Sequence, residues 1–452
     1  LEAPEKERPF INKILTGDVI TQLRLLPDEF VQMVVTSPPY WGPRDYLGEQ
    51  EVTWPDGTKS IYGHEPTIEL YVEHTILILR AIRRVLRSDG VLFWNVGDSY
   101  ASGGKCGEGE ARSVSAVLAQ KYASPSLDCQ RRAPISPGLK PTDMNMIPFR
   151  VALAAHADGW YVRCDIIWSK PNPMPESVTK RPTKSHEYIF QLTKSNDYFW
   201  DQEAVREKAV TKEWPGIGPK HGDERDRGEE YKPMDANSGR NIRSVWTFAT
   251  GSYEGAHCAV FPEELPRRCI LAATSERGRC PTCGAPWARV VERKNPSKKS
   301  FVPDHISSSG PPGSIRSMQS IPSLHRNTSP DGKSSGVYSK AKTVGWEPTC
   351  DCYGVGHLPK YPAQEDEEMD EAYEERIAPI RERRAAILKT YEFLSTIPCV
   401  VLDTFMGAGT TALVALDNNR QFVGIEISAE YVKMAYDRIK TPAKNLKLED
   451  FL

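Results

Sequence analysis

The sequence predicts an α/β fold built on a mostly parallel sheet, and three observations carry that prediction. Short apolar runs such as Val91 to Val96 alternate with longer stretches whose apolar residues recur at helical spacing. Turn signals, including Ser88-Asp89-Gly90 and Asp158-Gly159, separate the two kinds of segment. The same strand-and-helix grammar occupies both ends of the chain, up to about residue 200 and again from 398 to 440.

Taken in order, the first unit begins with a β-rich segment, Ile11 to Leu15, followed by Gly17-Asp18 and a short helix. A strand from Phe30 to Val35 comes next and ends on Thr36-Ser37-Pro38-Pro39-Tyr40. Residues 70 to 87 set Val72, Ile76, Leu79, Ile82 and Leu86 on one helical face, and Ser88-Asp89-Gly90 is expected to stop that helix before the strand Val91 to Val96. A second unit has a helix around Pro148 to Ala157 and strands near Tyr161 to Ser169 and His186 to Thr193. Near the end, the strand Val400 to Asp403 enters a glycine turn, a helix Thr410 to Asn418, a strand Phe422 to Ile427 and a last helix Glu430 to Ile439.

Three stretches interrupt this grammar. Residues 101–142, rich in Gly, Ser and Pro, read as a long mobile loop inside the part spanning 11–200. Residues 202–243 are polar and aperiodic, with residues 244–274 linking them to the third stretch. That stretch, 275–397, carries paired cysteines, a Ser/Pro/Lys-rich middle, an acidic run from Glu365 to Glu375 and a charged helix to Leu394.

Composition narrows the class without naming it. With 452 residues and a formal net charge of -2, any face that binds nucleic acid must be a local basic stripe. No apolar run reaches membrane-spanning length and no leader pattern is visible, so a soluble, cytoplasmic protein is expected. Ten cysteines in so long a chain are too sparse for a disulfide scaffold.

Two motifs carry chemistry. Asp403-Thr404-Phe405-Met406-Gly407-Ala408-Gly409-Thr410-Thr411 leaves a strand and opens a helix, where glycines admit a ligand to the backbone and free N–H groups await it. Glu426 ends the next strand, where a carboxylate can accept from ribose hydroxyls. The third glycine of the dinucleotide fingerprint is absent, which favours an adenosyl ligand over a pyrophosphate-bearing one and disfavours a nucleotide-dependent oxidoreductase. A plain strand-to-helix turn is the bland reading of the glycines alone. In Ser37-Pro38-Pro39-Tyr40, the Ser37 hydroxyl and the Pro38 carbonyl are acceptors suited to an aromatic NH2 group. The prolines stiffen the loop, Tyr40 offers a flat face, and Trp41 could widen it. Alone, the tetrapeptide could equally be a stiff turn after a buried strand.

Together these residues resemble the catalytic and cofactor motifs of the DNA N4-cytosine and N6-adenine methyltransferases. The catalytic motif precedes the cofactor motif, the permuted order of the family's beta group. Further matching stretches are Gly90 to Tyr100, Asp165 to Pro173, Arg181 to Tyr188 and His257 to Arg268. The resemblance implies a Rossmann-like methyltransferase sheet, circularly permuted, so that the first strand of the chain follows the Glu426 strand in space. It also implies S-adenosylmethionine as cofactor, with Asp18 on the adenine amino group, Glu426 on the ribose, and the turn from Asp403 through Phe405, Gly407 and Gly409 to Thr410 at the methionine end. His257, Phe261 and Pro262, within 244–274, would close over the cofactor, and 202–243 would recognise the target. Lys170, Lys184, Ser185 and His186 are candidates to approach the nucleotide, with a solvated loop as the plainer alternative.

The implied partners are double-stranded DNA, from which the base must be flipped out, and a cognate restriction endonuclease. A bacterial or phage origin is implied as well; the oligomeric state stays open. Ser37, where adenine enzymes usually carry an acid or amide, points to cytosine N4, with adenine N6 as the alternative. An inactive zinc-bearing DNA-binding module is an alternative of another class, against which both intact motifs argue.

Cys280-Pro281-Thr282-Cys283-Gly284 has the spacing of a zinc knuckle, and Cys350-Asp351-Cys352 supplies a second pair. A structural zinc would close a loop of about seventy residues in a segment too polar to fold on its own core. Between the pairs lie many basic residues, from Arg289 and Arg293 to Lys340 and Lys342, which could follow phosphates or form a solvated segment.

Overall fold

The computed structural model describes residues 3–42, 50–101, 136–176, 178–208, 239–250, 261–293, 341–362 and 370–440. The chain runs β1 (Lys13–Thr16), α1 (Val19–Leu25), β2 (Val31–Thr36), a small pair β3 (Val52–Thr53) and β4 (Lys59–Ser60), α2 (Ile68–Val85) and β5 (Leu86–Val96). Next come α3 (Ile147–Ala157), β6 (Tyr161–Ser169), β7 (His186–Thr193), β8 (Val245–Thr247) and α4 (Glu264–Ala273). It ends with β9 (Trp287–Arg293), β10 (Ala341–Pro348), α5 (Asp370–Glu392), β11 (Val400–Asp403), α6 (Thr410–Asp417), β12 (Gln421–Glu426) and α7 (Ala429–Lys440).

Eight strands form one sheet in the order β1-β12-β11-β2-β5-β7-β6-β8. Every pairing is parallel except those of β7, which runs against both β5 and β6. The central strands β2, β11 and β12, and the Val91 to Val96 part of β5, read as nearly continuous apolar runs because both faces are covered. In β2, Val31 and Val34 enter one core while Met33 and Val35 enter the other; in β5, Leu92 and Trp94 alternate with Val91 and Phe93. Helices α1, α2 and α3 pack on the first face and α4, α6 and α7 on the second. Such a sheet places its ligand beyond the carboxyl ends of the strands, where the order reverses. Here that point is the β11/β2 boundary, since β12 and β1 continue to one side and β5 to the other.

The permuted order is visible in one pairing. The first strand lies parallel beside the last, with Thr16 opposite Glu426. The helix expected to reach residue 87 instead ends at Val85, and β5 starts at Leu86 opposite Val31, with a bulge before Val91. Leu86 is fully buried and Arg87 pairs with Asp89, so the apparent stop signal Ser88-Asp89-Gly90 is taken into the strand.

Within 275–397, which was expected to lack a core, β9 and β10 form an antiparallel pair with α5 against it. Trp287, Val290, Leu358, Leu388 and Tyr391 make a small apolar cluster there. Most of the stretches 101–142 and 202–243, and most of the basic residues between the cysteine pairs, lie outside the described residues. Among the described residues no helix is long and apolar enough to cross a membrane.

Candidate active site

The two motifs meet at the β11/β2 boundary. Thr36, the last residue of β2, donates its hydroxyl to Asp403 Oδ1 at 2.7 Å, and Thr404 Oγ1 lies 3.2 Å from Thr36 Oγ1. Asp403 also accepts from the Phe405 N–H at 3.0 Å and the Thr411 hydroxyl at 2.6 Å. Burial raises its carboxyl above the ordinary aspartate value, against these hydrogen bonds from Thr411, Thr36 and Phe405. Asp403 is therefore enclosed and organises the turn from within. Gly407 and Gly409 take φ of 52° and 79°, a region that a side chain would strain, and the turn curls back so that Gly407 N–H reaches Glu426 Oε2 at 2.8 Å. The other Glu426 oxygen accepts from Ser428 N–H at 3.0 Å.

The residues present fit an adenosyl ligand. Each Glu426 oxygen keeps a lone pair beyond its backbone bond, and its burial, which raises the carboxyl, strengthens any hydrogen bond it accepts. Asp18 lies just beyond the end of β1, beside Glu426, and caps α1 by accepting from Thr21 N–H at 2.9 Å. Phe405 stacks on Tyr62, with ring centroids 5.6 Å apart. Thr410 begins α6, and Arg438 Nη1 donates to its hydroxyl at 2.8 Å while Nη2 donates to Glu263 at 3.1 Å. Arg438 thus ties the segment after Phe261 and Pro262 to the glycine turn. His257 lies outside the described residues.

On the β2 side, Ser37 and Tyr40 join a polar network that includes two residues the sequence reading did not single out. Asn95 Nδ2 donates to Ser37 Oγ at 3.2 Å, to Tyr40 Oη at 3.0 Å and to Glu187 Oε2 at 3.2 Å. The Tyr40 hydroxyl donates to Glu187 Oε2 at 2.7 Å and lies 3.3 Å from Ser37 Oγ. Glu187 accepts from Lys170, whose ammonium also sits 4.3 Å from the Trp168 ring centroid. Burial alone would raise the Glu187 carboxyl, but the Lys170 charge and the hydrogen bonds from Lys170, Tyr40 and Asn95 outweigh it and hold the group below the ordinary glutamate value. Asn95 had a visible signal, a lone amide in the apolar run of β5; Glu187 had none that separates it from a surface acid.

The Ser37 to Tyr40 loop is shaped from behind. Tyr71 donates to the Pro39 carbonyl at 3.0 Å, and Gly63, at φ 96°, fits against Pro39 and the Tyr40 carbonyl. Among the described residues nothing donates to the Pro38 carbonyl. Trp41, expected to widen the stacking surface, is 1% exposed, with its indole N–H on the Glu65 carbonyl at 2.9 Å, so in this conformation it supports the loop and offers no open face. Ser185 holds Lys170 through its carbonyl at 2.8 Å. His186 contacts Tyr188 at 3.2 Å, and burial followed by the Lys184 charge lowers its pKa. The Lys184 ammonium and Asp98 Oδ2 are both buried without a hydrogen-bond partner among the described residues. Burial lowers the Lys184 pKa and raises that of Asp98, and each charge opposes the shift of the other.

Comparison with known proteins agrees with this geometry. A family model described as DNA methylase matches residues 31–280 and 395–437. The chain belongs to the DNA methylase family. The matched residues contain both halves of the site and leave out most of the 275–397 stretch. The methylase is 40% identical to the type II methyltransferase M.Cfr9I of Citrobacter freundii over 261 residues, 58% of this chain and 72% of that protein. It is 39% identical to the type II methyltransferase M.SmaI of Serratia marcescens over 267 residues, 59% of this chain and 77% of that protein.

The four cysteines of the methylase, Cys280, Cys283, Cys350 and Cys352, come together with their sulfur atoms all within 4.8 Å of one another. They lie away from the two motifs, beside the start of β5, where Arg87 donates to the Cys283 carbonyl at 2.6 Å.

Proposed function

We propose that this methylase transfers a methyl group from S-adenosylmethionine to the exocyclic N4 of a flipped-out cytosine in double-stranded DNA, as the modifying half of a restriction–modification system. The observation that carries this reading is the Thr36–Asp403 hydrogen bond, which joins the acceptor loop to the glycine turn at the reversal of strand order. When bound, S-adenosylmethionine supplies an electrophilic methyl carbon on a sulfonium sulfur. Glu426 and Asp18 hold the nucleoside end, the turn from Phe405 to Thr410 holds the methionine end, and Asp403 acts by keeping that turn in shape. His257, Phe261 and Pro262 close the site.

The lone pair of an aromatic amine is delocalised into its ring, so the catalyst must favour a more tetrahedral nitrogen. Ser37 Oγ and the Pro38 carbonyl accept from the two N–H bonds and do so. Tyr40, its hydroxyl held by Glu187, presents its ring to the base. The proton that leaves the amine has a path along Ser37 Oγ and Tyr40 Oη to the ionised Glu187 carboxylate, with Lys170 balancing that charge. Lys184, Ser185 and His186 flank the nucleotide, and 202–243 reads the sequence around it. A cognate restriction endonuclease is the expected partner.

Ser37 supports cytosine over adenine, because a hydroxyl stands where adenine enzymes of this resemblance usually carry an acid or amide. Labelled methyl transfer to DNA followed by mass spectrometry of the released nucleosides tests both levels. N4-methylcytosine is expected. N6-methyladenine alone would overturn the base assignment, and no transfer from fully folded protein would overturn the activity.

A further inference from the structure

We propose that Cys280, Cys283, Cys350 and Cys352 bind one zinc ion whose work is mechanical: it fastens the 275–397 stretch to the amino-terminal ends of β5 and β11. The donor set fits. Four thiolates around a tetrahedral zinc at about 2.3 Å leave sulfur atoms roughly 3.8 Å apart, and the four sulfurs here all lie within 4.8 Å of one another.

The first pair is preorganised. Cys280 N–H donates to the Ala285 carbonyl at 2.8 Å and Gly284 N–H to the Cys280 carbonyl at 2.9 Å. Gly284 closes this turn at φ 74°. Thr282 N–H points at Cys280 Sγ at 3.4 Å, an arrangement that favours a thiolate ligand. The second pair arrives by strand pairing, since β10 runs antiparallel to β9 with Pro348 opposite Trp287 and delivers Cys350 two residues later.

What surrounds the knuckle argues for a clamp. A zinc with four thiolates carries net negative charge, and two guanidinium groups flank it. A Cβ built on Gly284 would lie 3.0 Å from Arg87 Nη1 and 3.6 Å from Arg279 Nη1. Arg87, the second residue of β5, pairs with Asp89 and donates to the Cys283 carbonyl. Arg279, 1% exposed, donates to Glu7 at 2.7 Å and to the Pro398 carbonyl at 3.0 Å, and exchanges backbone hydrogen bonds with Ile397 just before β11. Among the described residues the apolar cluster of the stretch holds five buried side chains with partly buried ones such as Trp346 and Leu394 against them, a small core to dock it by burial alone.

The position excludes a part in the chemistry. Leu86 lies opposite Val31 and Trp94 opposite Thr36, so Arg87 and Asn95 stand near opposite ends of β5, a separation of roughly 17 Å at the usual strand rise. All four ligand positions come from the protein, so none is left for substrate.

The test uses the full chain purified without chelator. Elemental analysis should find one zinc per chain, and titration with an organomercurial should release that zinc as four thiols react. Cys350→Ser should lose the zinc and lower the Tm by roughly 4 °C, the scale of a few kcal/mol in a chain of this length. Arg87→Met should keep the zinc and still lower the Tm, which separates metal binding from clamping. If Cys350→Ser does not fold, the mercurial titration of the unaltered protein decides. Four freely reactive thiols with no zinc, or a disulfide among them in intact-mass measurement, would overturn the site. Methyl-transfer rate lost in proportion to zinc well below the melting transition would overturn the mechanical role. The zinc content, thiol reactivity and Tm are read without methyl transfer, so the site stands or falls separately from the proposed activity.

Discussion

Glu187 shows how one side chain can be buried and still charged. Its side chain is 15% exposed, yet the carboxyl stays below 4.5 because Lys170, Tyr40 and Asn95 all stabilise the anion. A carboxyl whose folded pKa is depressed contributes stability that is fully present above the unfolded value and lost as pH falls through the folded one. Replacing Glu187 with Gln should therefore destabilise the protein at neutral pH by about 2 kcal/mol, since Lys170 loses its partner but can reach solvent. The gap from the unaltered protein should close as pH drops below 4.5, which urea unfolding across that range would reveal. The same variant should lower kcat by about 100-fold, the scale of a lost proton acceptor, with little change in KM for the donor. Gly97 makes a complementary point. A Cβ there would lie 2.7 Å from Tyr40 Cε2, so Gly97→Ala must push the ring aside. We expect a fall in kcat of about tenfold or more from such a displacement, in single-turnover measurements on protein of near-normal Tm.

At the scale of elements, the site depends on two strands that are 367 residues apart in the chain and hydrogen-bonded at their ends. Thr36→Val keeps the shape of the side chain and removes that bond, leaving the buried Asp403 with one donor fewer. A cost of about 1–3 kcal/mol is expected, together with weaker binding of the donor in calorimetry, because the glycine turn loses its brace. Helix α7 has a similar duty: Arg438 reaches from it to both Thr410 and Glu263. Arg438→Met should raise the Kd for S-adenosylmethionine by about tenfold, the weight of one or two charge-assisted bonds, while the fold, secured by the apolar face of α7, persists. Unchanged cofactor affinity in the folded variant would show that the 261–263 segment does not close the site.

For the whole molecule, the pairing of β1 with β12 makes the order of the two halves a matter of connection and not of packing. A circular permutant that joins the end of α7 to the start of the chain through a flexible linker, and opens it between β9 and β10, should retain the sheet and methylate DNA. Its opening lies between the cysteine pairs, so its Tm should depend on zinc more steeply than that of the parent chain; chelation of both proteins would compare them.

Much of this was legible in the chain itself. Strands β6, β7 and β11 fall where apolar runs and turns place them; β11, buried on both faces, leaves an unbroken apolar signature, while β6 alternates between buried and more exposed positions. The two motifs were legible for a similar reason, since Pro38-Pro39 and the Gly407/Gly409 turn act through backbone stiffness and permissiveness that the residue types carry with them. The spacing of the paired cysteines, too, pointed to the cluster that the fold brings together. Only the tertiary structure could decide the rest, because each feature depends on contacts between distant segments. It turned Trp41 inward, set Asp403 as a brace within the turn, made β7 antiparallel, and drew Asn95, Glu187 and Lys170 around Tyr40. Local sequence encodes backbone preference and burial. Which acid meets which tyrosine is set by how eight strands are ordered in a sheet.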